Sequence, residues 1–196
     1  GYKSEVKMLT FKDNPYASVG LTASYLLMDE AGIFPNIIEA YNMSEPAIKD
    51  GSDYIGVALV FGSAGSMEDG TQFFYEMFTN PGKYNMLEFP NPTEGAANTG
   101  WFVSSSRGRL GTNPKGQAMV DEEGNSLETL AEEDILRERD TKRNGGDAKA
   151  FRNIVTQYPL SYQEAFLRSK GAIFPVAELQ EWLGKIETTP KLRDDN

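Results

Sequence analysis

The sequence predicts an α/β fold, a parallel sheet covered by helices, followed by a mainly helical second half. Short continuous apolar runs alternate with helix-forming stretches as far as Phe89, the pattern of strands buried on both faces and joined by helical crossovers. From about Pro90 to Gly124 the chain turns rich in Gly, Asn, Ser and Pro. Beyond it, charged stretches with capping residues take over.

Ser24-Tyr25-Leu26-Leu27-Met28 is an apolar run that ends abruptly in Asp29-Glu30, which predicts a strand whose polar tip emerges at its carboxyl end. Pro35 suits the first turn of a helix carrying Ile37, Ile38 and Tyr41, and Pro46 and Gly51 punctuate the chain after that helix. A second buried strand is expected from Tyr54 to Phe61, ending in Gly62-Ser63-Ala64-Gly65, then a helix from Thr71 to Phe78 and a third strand from Tyr84 to Phe89. Trp101-Phe102-Val103 is strand-like, and Asp121 to Asn125 reads as a hairpin turn. Leu127 to Arg143 forms a charged helix with Leu127, Leu130, Ala131 and Ile135 on one stripe and Glu133/Arg137 and Glu138/Lys142 at i, i+4. Gly145-Gly146 stops it. Asp147 caps a helix containing Phe151, Ile154 and Val155, and Ser161-Tyr162-Gln163-Glu164 is a capping box. A last amphipathic helix is expected from about Pro175 to Ile186, with a frayed tail at 188–196. Trp101 and Trp182, at apolar spacing, are expected in the core.

Composition removes whole classes of chemistry. With no Cys and no His in 196 residues, disulfides, thiolate nucleophiles, Ser-His pairs and the usual zinc sites are excluded. Catalysis would rest on carboxylates, hydroxyls, Lys, Arg or a hard metal ion. The 29 acidic against 19 basic side chains give a net charge of −10, a field that repels polyanions. No apolar run approaches the roughly 20 residues of a membrane span and no stretch has the form of a signal peptide, so the expectation is a soluble, non-secreted protein without a membrane partner.

Two segments carry candidate chemistry. Tyr25-Leu26-Leu27-Met28-Asp29-Glu30 has the form of a Walker B segment, in which a buried strand fixes the first carboxylate beside Mg²⁺ and the second orients the attacking water. A solvated strand end is the alternative. Phe61-Gly62-Ser63-Ala64-Gly65 places small residues at the next tip, where backbone approaches a phosphate closely and the Ser63 hydroxyl senses it. A plain turn has the same composition. Asp121-Glu122-Glu123-Gly124 does not reproduce the ligand spacing of a Ca²⁺ loop. Arg107 and Arg109 form a local basic cluster, either a solvated loop or a phosphate contact.

Leu26 to Gly32, Phe34 to Asn42 and Phe61 to Gly70, followed by Asp121 to Ser126, Tyr158 to Leu167 and Ile173-Phe174-Pro175, resemble in order the large terminase subunit of tailed bacteriophages. That family packs viral DNA into a capsid with an ATPase domain and cuts it with a separate nuclease domain. The resemblance implies a partial P-loop NTPase-like sheet over residues 1–95 and a lid or linker subdomain over 96–187. It makes Asp29 the Mg²⁺-associated acid and Glu30 the catalytic carboxylate, and puts Ser63, Gly62 and Gly65 at the coupling motif. ATP and Mg²⁺ are the cofactors of the intact parent, with none expected on this chain alone. The implied partners are the remainder of the terminase, the portal, the small terminase subunit and double-stranded DNA, the last held weakly by so acidic a chain. The implied location is the cytoplasm of an infected bacterium.

The sequence departs from the family in two respects. It contains no G-x-x-x-x-G-K-[ST]; Pro81-Gly82-Lys83-Tyr84 lacks both the upstream Gly and the hydroxyl after Lys. The nuclease acids are also missing. The resemblance therefore implies the back half of the motor domain plus its linker, as an excised fragment, a truncated gene or one piece of a split protein. A catalytically silent interaction module and an unrelated Mg²⁺-dependent carboxylate hydrolase using Asp29 and Glu30 are the rival readings.

Overall fold

The computed structural model describes residues 4–11, 14–64, 71–91 and 95–167. The chain divides into two units, Gly1–Phe78 and Thr79–Asn196. It is mixed α/β, with a small parallel sheet in the first unit and helices in both.

In the first unit the order is β1 (Tyr25–Met28), α1 (Ile37–Ser44), β2 (Lys49–Asp50), β3 (Asp53–Tyr54) and β4 (Val57–Val60), and α2 (Thr71–Thr79) comes next. β1 and β4 pair in parallel, Tyr25 opposite Val57 and Met28 opposite Val60. β-branched and long apolar side chains favour this extended pair, and α1 supplies the crossover that parallel strands require. Pro35 precedes the helix, Glu39 lies in its first turn, and Ile37, Ala40, Tyr41 and Ser44 are its buried face. A 3₁₀ turn at Glu45–Ile48, with Pro46 at its start, packs against both strands. Burial of Tyr41 pushes its phenol up to about 12, with the Glu45 carboxylate adding to the effect.

Three sequence expectations fail here. The run Tyr54 to Phe61 is not one strand. The amides of Ile55 and Gly56 both donate to the Ile48 carbonyl, at 2.9 and 3.2 Å, so the chain bulges between the β2–β3 hairpin and β4. A Cβ on Gly56 would lie 2.7 Å from the Ala23 carbonyl oxygen, so the bulge needs glycine there. Nor are the strands covered on both faces: Met28 is buried, whereas Tyr25, Leu27, Val57 and Leu59 are exposed. The third strand is also absent. Pro81–Tyr84 is a 3₁₀ turn, and Asn85, at a φ of +53°, reverses the chain just where extension was expected. Of that run only Phe89 pairs, in an antiparallel bridge with Thr99.

The second unit begins with those turns. Trp101 to Val103 forms no strand. Trp101 is 68% exposed and stacks on Phe89, contrary to the core position expected of it. A 3₁₀ turn at Ser105–Gly108 precedes α3 (Glu128–Asn144), α4 (Ala148–Gln157) and α5 (Tyr162–Ala165). Asp121 closes the turn before α3, its carboxylate accepting from the Asn125 amide at 2.7 Å. Asp147 caps α4 by accepting from the amides of Lys149 and Ala150, both at 3.0 Å, and these bonds hold its carboxyl below the usual range. Phe151 and Val155 of α4 meet Leu167 in the core, and α3 contributes Ala131 and Ile135. The helix expected at Pro175 to Ile186, Trp182 and the tail lie outside the described residues.

Candidate functional site

β1 ends with Met28 buried and Asp29 and Glu30 in solvent. The Asp29 carboxylate accepts a hydrogen bond from the Glu30 amide at 2.7 Å, and Glu30 takes a φ of +53°, unusual for a side chain other than glycine. β4 ends beside it. The Phe61 amide donates to the Met28 carbonyl and the Ala31 amide to the Phe61 carbonyl, each at 3.0 Å. Parallel pairing then continues past both strands to Gly32 and Ala64.

Two glycines allow this approach. A Cβ on Gly62 would sit 2.7 Å from the Ala31 nitrogen, and one on Gly32 only 1.9 Å from the Ser63 carbonyl oxygen. Gly62 also has a φ of +153°. The Thr71 hydroxyl at the start of α2 donates to the Gly32 carbonyl, tying the β1 tip to the helix after β4. Two neighbouring carboxylates and an exposed Gly62-Ser63 pair thus share one end of the parallel strands, the end at which α/β sheets bind ligands. Gly65 lies outside the described residues.

The donors at this tip are carboxylates, the ligand type of hard cations such as Mg²⁺ and Ca²⁺. Among the described residues no three carboxylates are grouped to hold an ion by themselves. Mg²⁺ associated with a nucleotide needs only one or two carboxylates, because water and phosphate oxygens complete its shell. Asp29 and Glu30 fit that arrangement.

The second unit holds a different kind of charge cluster. Arg109, for which a solvated loop or a phosphate contact was expected, folds onto α3 and donates to Asp134 at 2.7 Å and Glu138 at 2.5 Å, with Tyr158 beneath its guanidinium at 5.0 Å. Arg107 pairs with Glu128 at 3.1 Å. Burial works against the charge on Asp134, yet the bonds from Arg137 and Arg109 hold its carboxyl below the usual range. Burial likewise opposes the Arg109 charge, but the bonds to Asp134 and Glu138 raise its pKa further. Arg109, Asp134, Arg137, Glu138 and Tyr158 line a cleft of about 500 Å³, and within it cation and carboxylate neutralise each other. Arg137 turns to Asp134 and Glu138 to Arg109, rather than to the i, i+4 partners expected of them.

Deeper still, Arg139 donates to both oxygens of Glu164 at 2.9 and 2.8 Å and to the Tyr158 carbonyl at 2.8 Å. Sequence reasoning missed the roles of Asp134 and Arg139, and gave Glu164 only as a capping-box residue. The signal was present: 131, 134, 135, 138 and 139 recur at helical spacing on a single face. The capping box expected at Ser161 places Glu164 differently. Its carboxylate receives the Leu160 amide at 2.7 Å, while Ser161 accepts from the Glu164 amide at 3.4 Å.

No protein-family model, curated protein or solved structure matches the chain. Among the described residues no helix is long and apolar enough to cross a membrane.

Proposed function

We propose that the chain is part of a viral DNA-packaging motor, the back half of the ATPase domain of a large terminase subunit together with its lid. The observation that carries this reading is the parallel pairing of β1 with β4, which brings Asp29-Glu30 and Gly62-Ser63 to one end of the sheet. A Walker B acid and a coupling motif must meet at one phosphate site, and neighbouring parallel strands are the arrangement that lets them. In this reading Asp29 would hold Mg²⁺, and Glu30 would take up the proton of an attacking water. The ion would neutralise charge developing on the phosphate. Ser63 and Gly62, with Gly65 after them, would relay nucleotide state: the Gly32 to Ser63 contact and the Thr71 bond leave little room for one tip to move without the other. The lid and its DNA, portal and small-subunit partners belong to the same proposal.

The expected outcome is that this chain alone binds ATP poorly, since the phosphate cradle and its Lys supply most triphosphate contacts in such enzymes. Calorimetry checks it, and micromolar ATP binding by the isolated chain would count against this role. Joined to a segment that supplies G-x-x-x-x-G-K-[ST], the chain should hydrolyse ATP, and Glu30→Gln should retain nucleotide while losing on the order of 100-fold or more in turnover. An unchanged rate in that variant overturns the assignment.

A further inference from the structure

We propose that the open face of the β1–β4 sheet is a docking surface for a cationic amphipathic helix of another polypeptide. The register puts Tyr25 opposite Val57 and Leu27 opposite Leu59 on one face, and these side chains are 71, 52, 60 and 51% exposed. Phe61, next in the alternation, is 46% exposed. The strands meet the Glu45–Ile48 turn, and Met28, of opposite parity, is buried. Parallel sheets are ordinarily covered on both faces by helices, and a contiguous apolar patch of this kind marks an association site. Strands of four residues span about 13 Å, a length matched by about nine residues of helix. Water can satisfy the backbone edges of the pair, so the apolar face is what calls for cover.

Charge selects the occupant. Exposed acids stand at both ends of the face: Asp29 and Glu30 beyond the carboxyl ends, Asp50 and Asp53 in the hairpin leading into β4. Lys49, the one lysine of that hairpin, is bound to Glu45 at 3.0 Å and lies over the Tyr54 ring. Residues 1–78 contain eleven Asp and Glu against four Lys and no Arg. A second copy would bring the same negative field against its own, and an anionic membrane would be repelled. A helix whose apolar stripe is flanked by Lys and Arg gains from both the burial and the field. The apolar face and the exposed Asp50 and Asp53 play no part in the nucleotide reading, so the proposal can fail or stand apart from it.

The test is calorimetric titration of the whole chain with a helical peptide of about 18 residues, five turns, carrying one Leu stripe flanked by Lys and Arg. A second peptide keeps the stripe and replaces every cation by Glu. The cationic peptide is expected to bind at least tenfold more tightly, with an affinity that falls as salt screens the charges. Leu27→Gln combined with Leu59→Gln should weaken it tenfold or more. Asp50→Asn with Asp53→Asn leaves the apolar face intact and should flatten the salt dependence, which decides the matter should the first pair fail to fold. Equal binding of the two peptides, unchanged binding or salt dependence in these variants, self-association of the chain abolished by Leu59→Gln, or uptake onto anionic vesicles would overturn the proposal.

Discussion

Gly32 and Gly51 separate two reasons for a glycine. Gly32 needs space, because a Cβ there would collide with backbone at Ser63 and Ala64. Gly51 needs conformation, having a φ of +61° with open space around it. Gly51→Ala should therefore cost about 1 kcal/mol, the penalty of a left-handed alanine. Gly32→Ala must push the strand tips apart and should cost about 1–3 kcal/mol or more. Urea denaturation of the two variants checks the order, and an equal loss would mean that the tips are not held together. Arg139 presents a larger quantity. Its guanidinium is buried against Glu164, while its Nε is without a partner among the described residues. Arg139→Met leaves Glu164 buried and uncompensated, and should cost about 3–5 kcal/mol. Adding Glu164→Leu should recover part of that loss in a double-mutant cycle on the same denaturation assay, because the orphaned charge then disappears.

At the scale of elements, α3 couples stability to pH through Asp134. Its folded pKa lies below the ordinary carboxylate value near 3.9. The unfolded chain therefore binds the proton more readily, and the stability contributed by this carboxylate is present above that value and lost as pH falls through the folded pKa. Acid titration followed by circular dichroism should show helix loss below about pH 4, and Asp134→Asn should reduce the pH dependence while lowering stability at neutral pH. The same element shows what a sequence can disclose. α1, α3 and α4 were legible because periodicity and punctuation agreed at Pro35, Gly145 and Asp147. The run Tyr84 to Phe89 was not, because apolar content cannot reveal the left-handed turn at Asn85. The interruption at Ile55-Gly56 depends on a carbonyl seven and eight residues upstream, beyond any local pattern. The two candidate segments of the site were visible as strand tips; their interlock through Gly32 was not, since it is a contact between distant backbones.

For the whole molecule, the net charge of −10 matters less than where the cations go. Five of the arginines face carboxylates: Arg107 with Glu128, Arg109 with Asp134 and Glu138, Arg137 with Asp134, Arg139 with Glu164 and Arg143 with Asp140. A phosphate backbone competing for these groups would have to break pairs already made, two of them around the nearly buried Asp134 and one at the buried Arg139. The first 78 residues offer only lysines, outnumbered by acids. Non-specific DNA binding draws on several cations free to displace counterions, and its affinity falls steeply with salt as they do so. The chain should accordingly bind duplex DNA weakly or not at all near physiological salt. Fluorescence anisotropy with a labelled duplex, repeated across a salt series, measures this directly. Tight binding with a steep slope would require a basic surface that these ion pairs do not provide.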